Sequence, residues 1–284
     1  MRVRAPLQTL LPFMSLIICP LCQLPLNRQI AVWSCARGHS FDVAREGYVN
    51  LLPVQHKNSR DPGDNPEMVV ARREFLQGGH YQPLRDALVT LLAPLRAQHL
   101  LDMGCGEGYY TSAFTAIAPT VIGLDIAKPA IQLAAKRFRE ITWLVGSGAS
   151  LPISDVSMDI VTSLFSPLQI AEMYRVLKPG GHVLVVTPAP DHLWAIREKL
   201  FDEVRAHAPE KFLAGFETQF DSRSQQEVRC SLNLTQQTLK QLLLMTPYAW
   251  KAKPEKRAAL EASETFSTQA AFAYLLFQKK SVSA

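Results

Sequence analysis

Between residues 99 and 187 the chain alternates short, strongly apolar runs with longer segments of helical period. Residues 99–103, 120–125, 141–145, 159–164 and 182–187 read as strands. Residues 109–117, 128–138 and 170–178 read as helices, the last stopped by Pro179-Gly180-Gly181. Runs that are apolar without alternation belong to strands buried on both faces, and parallel strands joined by helices bury both faces. The rhythm therefore specifies a doubly wound α/β sheet. Two further helices are expected at 66–77 and 81–95, where Leu84, Leu88, Leu91, Leu92 and Leu95 recur at helical spacing. The tail from 191 reads as helical, with strands near 228–234 and 270–278. The chain has 284 residues, 48 % of them hydrophobic, enough for one large core and a small appendage.

The turn after the first of these strands holds Asp102, Gly104, Gly106, Glu107 and Gly108. Glycines let a backbone bend sharply and approach a ligand closely. Glycine triads also serve dinucleotides, but Asp102 just ahead of them would repel a pyrophosphate and attract an ammonium group. Asp125 ends the next strand, where a carboxylate accepts hydrogen bonds from ribose hydroxyls. Ammonium plus ribose describes S-adenosylmethionine. The plainer reading of both aspartates is helix capping. Isolated Cys105, inside the loop, reads as packing.

Ahead of the sheet, Cys19, Cys22, Cys35 and His39 stand at C-x2-C-x12-C-x3-H spacing. Two ligands on each of two tight turns complete a tetrahedral shell for Zn2+. Four protein ligands leave no open position, so the ion is expected to be structural and to supply the folding free energy of a small ribbon. Residues 41–52 read as a strand of that ribbon, ended by Pro53. The cysteine pattern is that of metal binding in a reducing compartment.

The formal net charge is +5, a mild lean toward a polyanionic partner. No apolar run is long enough to span a membrane. Residues 1–18 imitate a secretory signal but lack a small-x-small cleavage site. They are read instead as upstream sequence ahead of a start at Met14. The expected organisation is 1–14 upstream extension, 15–54 zinc ribbon, 55–66 polar linker loop and 67–284 catalytic domain.

RVLKPGG at 175–181 and L-P-x5-M-D at 151–159 resemble stretches of class I S-adenosylmethionine (SAM) methyltransferases. A closer resemblance runs from about residue 15 to the C-terminus. The ribbon pattern, EGYVNLLPVQHK at 46–57, SRDPGD at 59–64, GHYQPLRD at 79–86 and DMGCGEGYY at 102–110 are similar to the bacterial 23S rRNA guanine-N1 methyltransferase family of RlmA type. Thr187-Pro188, His192-Leu193 and MTPYAW at 245–250 match it too. The resemblance implies a Rossmann-like class I fold, methyl transfer to a guanine of a 23S rRNA hairpin (guanine-745 type), and a cytoplasmic homodimer. It implies Cys19, Cys22, Cys35 and His39 as zinc ligands, with the ribbon recognising RNA. It implies cofactor contacts from Tyr81, Gly106, Glu107 and His192, beside Asp102, Gly104 and Asp125. Residues 163–167 and 216–230 depart from the family pattern.

Guanine N1 carries a proton that must leave as the methyl arrives. No residue declares itself as the base; Asp159 belongs to the fold, and His56 in the polar loop is the candidate. Arg28, Arg37, Arg45, Lys57 and Arg60 are expected to meet phosphates. The alternatives are a SAM methyltransferase on a different rRNA guanine, a small molecule or a protein with a purely structural ribbon, and an RNA-binding protein that has lost activity.

Overall fold

A computed structural model describes residues 15–53, 62–208 and 215–280. The proposed extension and His56, Lys57 and Arg60 lie outside them. The chain opens with a three-stranded antiparallel sheet of β1 (Asn27–Arg28), β2 (Val32–Ser34) and β3 (Ser40–Asp42). An eight-stranded sheet follows. Its strands are β4 (Val49–Asn50), β5 (His99–Met103), β6 (Thr120–Asp125), β7 (Thr142–Val145), β8 (Met158–Leu164), β9 (Leu177–Pro188), β10 (Phe220–Thr235) and β11 (Thr265–Lys279). They lie in the order β10-β11-β9-β8-β5-β6-β7-β4. All neighbours run parallel except β11, which is antiparallel to both β9 and β10. The order reverses at β5, whose neighbours β6 and β8 wind to opposite sides. That is the topological switch point, where an open α/β sheet leaves a crevice beyond its strand ends.

Successive side chains of the central strands enter opposite cores. Leu100, Ile160, Leu184 and Val186 join one cluster; Leu101, Ile122, Val161 and Val183 join the other. The first face is covered by α1 (Pro66–Gln77) and α2 (Gln82–Leu92) and, later in the chain, by Gln236–Leu244. Pro66 at the first turn and the Asn65 side chain, which accepts from Met68 N at 2.9 Å, start α1. Between these come α3 (Lys128–Arg137), α4 (Ile170–Val176) and α5 (Trp194–Leu200). The second face is covered by Met173 and Val176 of α4 and by the ribbon itself, through Ile17, Leu26 and Trp33. Ile18 N donates to Pro152 O at 3.0 Å and Ser154 N to Leu16 O at 2.9 Å. The ribbon thus does the covering work of a helix.

Five expected elements differ. Residues 41–52 do not form one strand. Gly47, at φ +99°, closes a turn on Ala44, and Val49 crosses to pair with Leu144 of the large sheet. The expected helix at 109–117 is a 3-10 segment, Thr111–Ala116. Ser112 and Thr115 hydroxyls bond to backbone carbonyls, Tyr109 O at 3.0 Å and Ser112 O at 2.8 Å, and compete with helical pairing. The strand expected from 182 starts at Leu177, with Lys178–Gly181 as an irregularity between the Met158 and Ile160 pairings. The two tail strands are longer than their apolar cores, because each pairs with the other over its whole length. No helix among the described residues is long and apolar enough to cross a membrane.

Candidate active site and metal centre

Cys19 and Cys22 share a turn in which Gln23 N donates to Cys19 O at 2.8 Å. Cys35 and His39 share another, closed by Gly38 at φ +82°, whose N–H donates to Cys35 O at 2.9 Å. The four ligand atoms lie within 4.8 Å of one another. Cys19 Sγ and Cys35 Sγ each stand 3.5 Å from His39 Nδ1, and Cys22 Sγ is 3.5 Å from Cys35 Sγ. Zinc bonds of about 2.0–2.3 Å in a tetrahedron give edges of roughly 3.5–3.8 Å. The donor set and its dimensions fit a Cys3His zinc.

A cavity of about 1060 Å³ opens at the carboxyl ends of β5, β6, β8 and β9. Tyr81, Asp102, Gly104, Gly106, Glu107, Asp125 and His192, far apart in sequence, all line it. Gly104 and Gly106 stand at φ +79° and +57°, the left-handed region where a side chain is strained. They differ in what they face. A Cβ on Gly104 would lie 2.5 Å from Ser166 Cβ, whereas one on Gly106 would meet nothing closer than Arg72 Nη1 at 3.8 Å. Gly104 lets two strand ends pack; Gly106 leaves the cavity wall open to a ligand.

The carboxylates have partners already. Asp102 is 2 % exposed and accepts from Thr111 Oγ1 at 2.5 Å and Thr162 Oγ1 at 2.7 Å. Burial pushes its pKa up to about 6 against those two hydroxyls, with Asp125 raising it further. Asp125 accepts from Gly106 N and from Ala127 N, both at 2.8 Å. It therefore ties the glycine loop to the start of α3 and is both a structural brace and a strand-end acid, since each oxygen keeps a second lone pair. Burial also raises Glu107, which faces Arg72. Asp64, Glu107 and Asp125 surround the single Arg72 guanidinium, and buried Asp102 lies beside Asp125, so the site carries a surplus of negative charge. A cation such as the ammonium or sulfonium of SAM relieves it, so the donor set fits that group.

Beyond the glycine loop the wall turns aromatic. Tyr81 is 3 % exposed and sits edge-on to Phe272, centroids 4.8 Å apart. Phe272 also touches His192 at 4.8 Å and Phe165 at 5.3 Å. His192 Nδ1 donates to Ala271 O at 2.8 Å, which leaves Nε2 as the acceptor. Burial lowers its pKa to about 4, so the ring is neutral at ordinary pH. Phe165 stands at φ +57° at the end of β8, in the stretch that departs from the family pattern. Such strain, of about 1–2 kcal/mol, persists where surroundings over-determine it. Here Phe165 N donates to Val186 O at 3.0 Å.

Several cleft residues escaped the sequence reading. Arg72 pairs with Asp64 at 2.5 Å, and nothing in its helical surroundings marks it. His207 lies in a segment without periodicity; Tyr248 was visible only inside a longer string. Of the expected phosphate contacts, Arg37 and Arg45 are exposed. Arg28 is exposed as well; its guanidinium also lies 4.5 Å over the Trp33 ring and donates to Thr142 Oγ1 at 2.8 Å, clamping ribbon to sheet. Asp159 accepts from Gln98 N, His99 N and Lys178 Nζ, a purely structural acid.

Two family models match the chain: "RlmA, N-terminal" over residues 17–60 and "Methyltransferase domain" over residues 101–185. A Micromonospora griseorubida protein, provisionally named a 23S rRNA (guanine-N1)-methyltransferase, is 34 % identical over 271 residues, covering 86 % of this chain and 90 % of its own. The 23S rRNA (guanine(748)-N1)-methyltransferase of Streptomyces fradiae is 32 % identical, covering 84 % of this chain and 88 % of its own. Among solved structures, a complex of the Haloferax volcanii Trm112 activator with a methyltransferase matches with a TM-score of 0.51 at 19 % identity, over 75 % of this chain and 95 % of that one, a likeness of fold.

Proposed function

The chain belongs to the RlmA-type 23S rRNA (guanine-N1)-methyltransferase family, and from that premise we propose that it methylates N1 of a guanine in 23S rRNA. The observation that carries the reading is one continuous body in which a Cys3His ribbon and an acidic, glycine-lined cleft are built on the same sheet. Bound in the cleft, S-adenosylmethionine supplies an electrophilic methyl group on a sulfonium.

The chain's own residues bind and orient. Asp102 and Glu107 would face the ammonium end and Asp125 the ribose hydroxyls. Tyr81 and His192 offer neutral rings along the wall. Such placement accounts for much of the acceleration of an in-line displacement, together with exclusion of water. The exposed Arg37 and Arg45 give the ribbon positive charge for a phosphate backbone. Action as a homodimer in the cytoplasm belongs to the same reading, supported by the family resemblance and by thiolate ligands that need a reducing compartment.

The finer reading, a target of guanine-745 type, is supported by the family resemblance of the sequence strings alone; position 748, for which the Streptomyces fradiae relative is named, is its competitor. Primer extension on 23S rRNA tests both levels, because a methyl on N1 blocks base pairing and stops the polymerase. A strain lacking this gene is expected to lose one stop and to regain it on complementation. The same stops in both strains would sink the proposal, and a restored stop at 748 would replace the finer reading.

A further inference from the structure

His207 and Tyr248 meet in the wall of the same cavity that the glycine loop lines. His207 follows α5; Tyr248 belongs to the short helix Pro247–Lys251, inside the MTPYAW string. His207 Nε2 and Tyr248 Oη are 2.7 Å apart. The pair is one ring removed from the cofactor side. Centroids run from Phe272 to His192 at 4.8 Å and from His192 to His207 at 6.5 Å. Its position is fixed from behind. Arg197 Nη1 reaches Pro190 O and His192 O, Arg197 Nη2 donates to Arg205 O, and His207 N donates to Pro190 O at 3.1 Å. The Arg197 guanidinium also lies 5.7 Å over the Tyr248 ring.

Resting on the guanine-N1 reading, we infer that Tyr248, backed by His207, accepts the proton that guanine N1 gives up during methyl transfer. With the phenol donating to His207 Nε2, Tyr248 Oη keeps a lone pair for N1–H. As the reaction proceeds, the electron pair of the N1–H bond becomes the pair that binds the methyl carbon. The N1 proton passes to Tyr248 Oη, and the phenol proton passes to His207 Nε2. The carbon–sulfur pair returns to sulfur. One positive charge disappears from the sulfonium and one appears on the imidazole, so atoms and charge balance. His207, half-buried, then returns its proton to solvent.

The surroundings hold the pair in the required resting state. Burial lowers the His207 pKa, with Arg197 adding to the effect, so the imidazole starts neutral. Burial pushes Tyr248 up to about 12, partly offset by Arg197, so the phenol starts protonated. Among the described residues Arg197 is the charged group facing both, and His192 and Tyr81 are the titratable rings near them. No metal or additional co-reactant is required.

The test uses the full-length, zinc-loaded protein with 23S rRNA and SAM. Tyr248→Phe removes one oxygen and keeps the ring. Single-turnover methylation at neutral pH is expected to fall by about 100-fold, the scale of a lost general base. The loss should shrink at alkaline pH as guanine N1 ionises unaided, while SAM affinity by calorimetry stays within about twofold. His207→Gln should give a smaller loss with the same pH recovery. A readout free of activity comes from imidazole 15N spectra of the cofactor-free protein: His207 should titrate below the ordinary histidine range and carry its proton on Nδ1. A Tyr248→Phe rate within about threefold of wild type overturns the inference. So does a loss that is equal at every pH and accompanied by weaker RNA binding. Failure of the unmodified enzyme to methylate 23S rRNA would count against the function itself.

Discussion

Asp102 illustrates what a single buried acid costs and what it provides. Its folded-state pKa of about 6 lies above the ordinary carboxylate value of 3.8. Protonation therefore favours the folded cofactor-free chain: the contribution is present below about pH 4 and is lost as pH rises through about 6. Integrated over that interval, the contribution is on the order of 3 kcal/mol. Asp102→Asn keeps Thr111 and Thr162 within reach and removes the charge. The variant's cofactor-free melting temperature should no longer decline between pH 4 and 6, while calorimetry should show SAM binding at least about 10-fold weaker, the scale of a charge-assisted hydrogen bond. Unchanged SAM affinity would remove Asp102 from the ammonium site. Gly104→Ala is a harsher change, because it combines left-handed backbone strain with a Cβ 2.5 Å from Ser166 Cβ. A loss of about 2–4 kcal/mol in denaturant unfolding is expected. The need for glycine at 104 and 106 was legible in the sequence. The different reasons for each were not, since Ser166 and Arg72 arrive from other parts of the chain.

At the scale of elements, the ribbon is three strands of two or three residues. Strands that short do not hold themselves together, whereas structural zinc sites contribute about 10–16 kcal/mol of binding. Cys35→Ser should bring bound zinc, measured by metal analysis, from about one equivalent to near none. It should also open residues 19–42 to protease while far-UV dichroism of the sheet is largely kept. Retention of zinc would mean that Cys35 is not a ligand. The ribbon was readable because its ligands are spaced by local turns. The fate of residues 41–52 was not, because alternation cannot say which sheet Val49 will join. Nor does any pattern announce that Lys279 of β11 caps α4, its Nζ donating to Tyr174 O and Leu177 O at 2.7 Å each.

Over the whole molecule, ribbon and sheet share one core. Ile17, Leu26 and Trp33 belong to the same cluster as Leu144, Ile153 and Val161, and Arg28 pins the seam at Thr142. Removing zinc with a chelator should therefore lower the main thermal transition by several degrees rather than delete a separate one, since about 1 kcal/mol lost moves a chain of this size by about 2–4 °C. Two independent transitions in calorimetry would show that the ribbon folds apart from the sheet. The strand–helix rhythm, the zinc ligand set and the glycine turn can be read along the chain before any folding is known. Each is written in residues close together in the chain, where backbone geometry and spacing are enough. That Tyr81, His192, His207 and Tyr248 share a cavity with Asp102, and that the ribbon covers a face of the sheet, emerges from the folded molecule alone. Those juxtapositions depend on how strands separated by tens of residues cross and pack, which local periodicity does not encode.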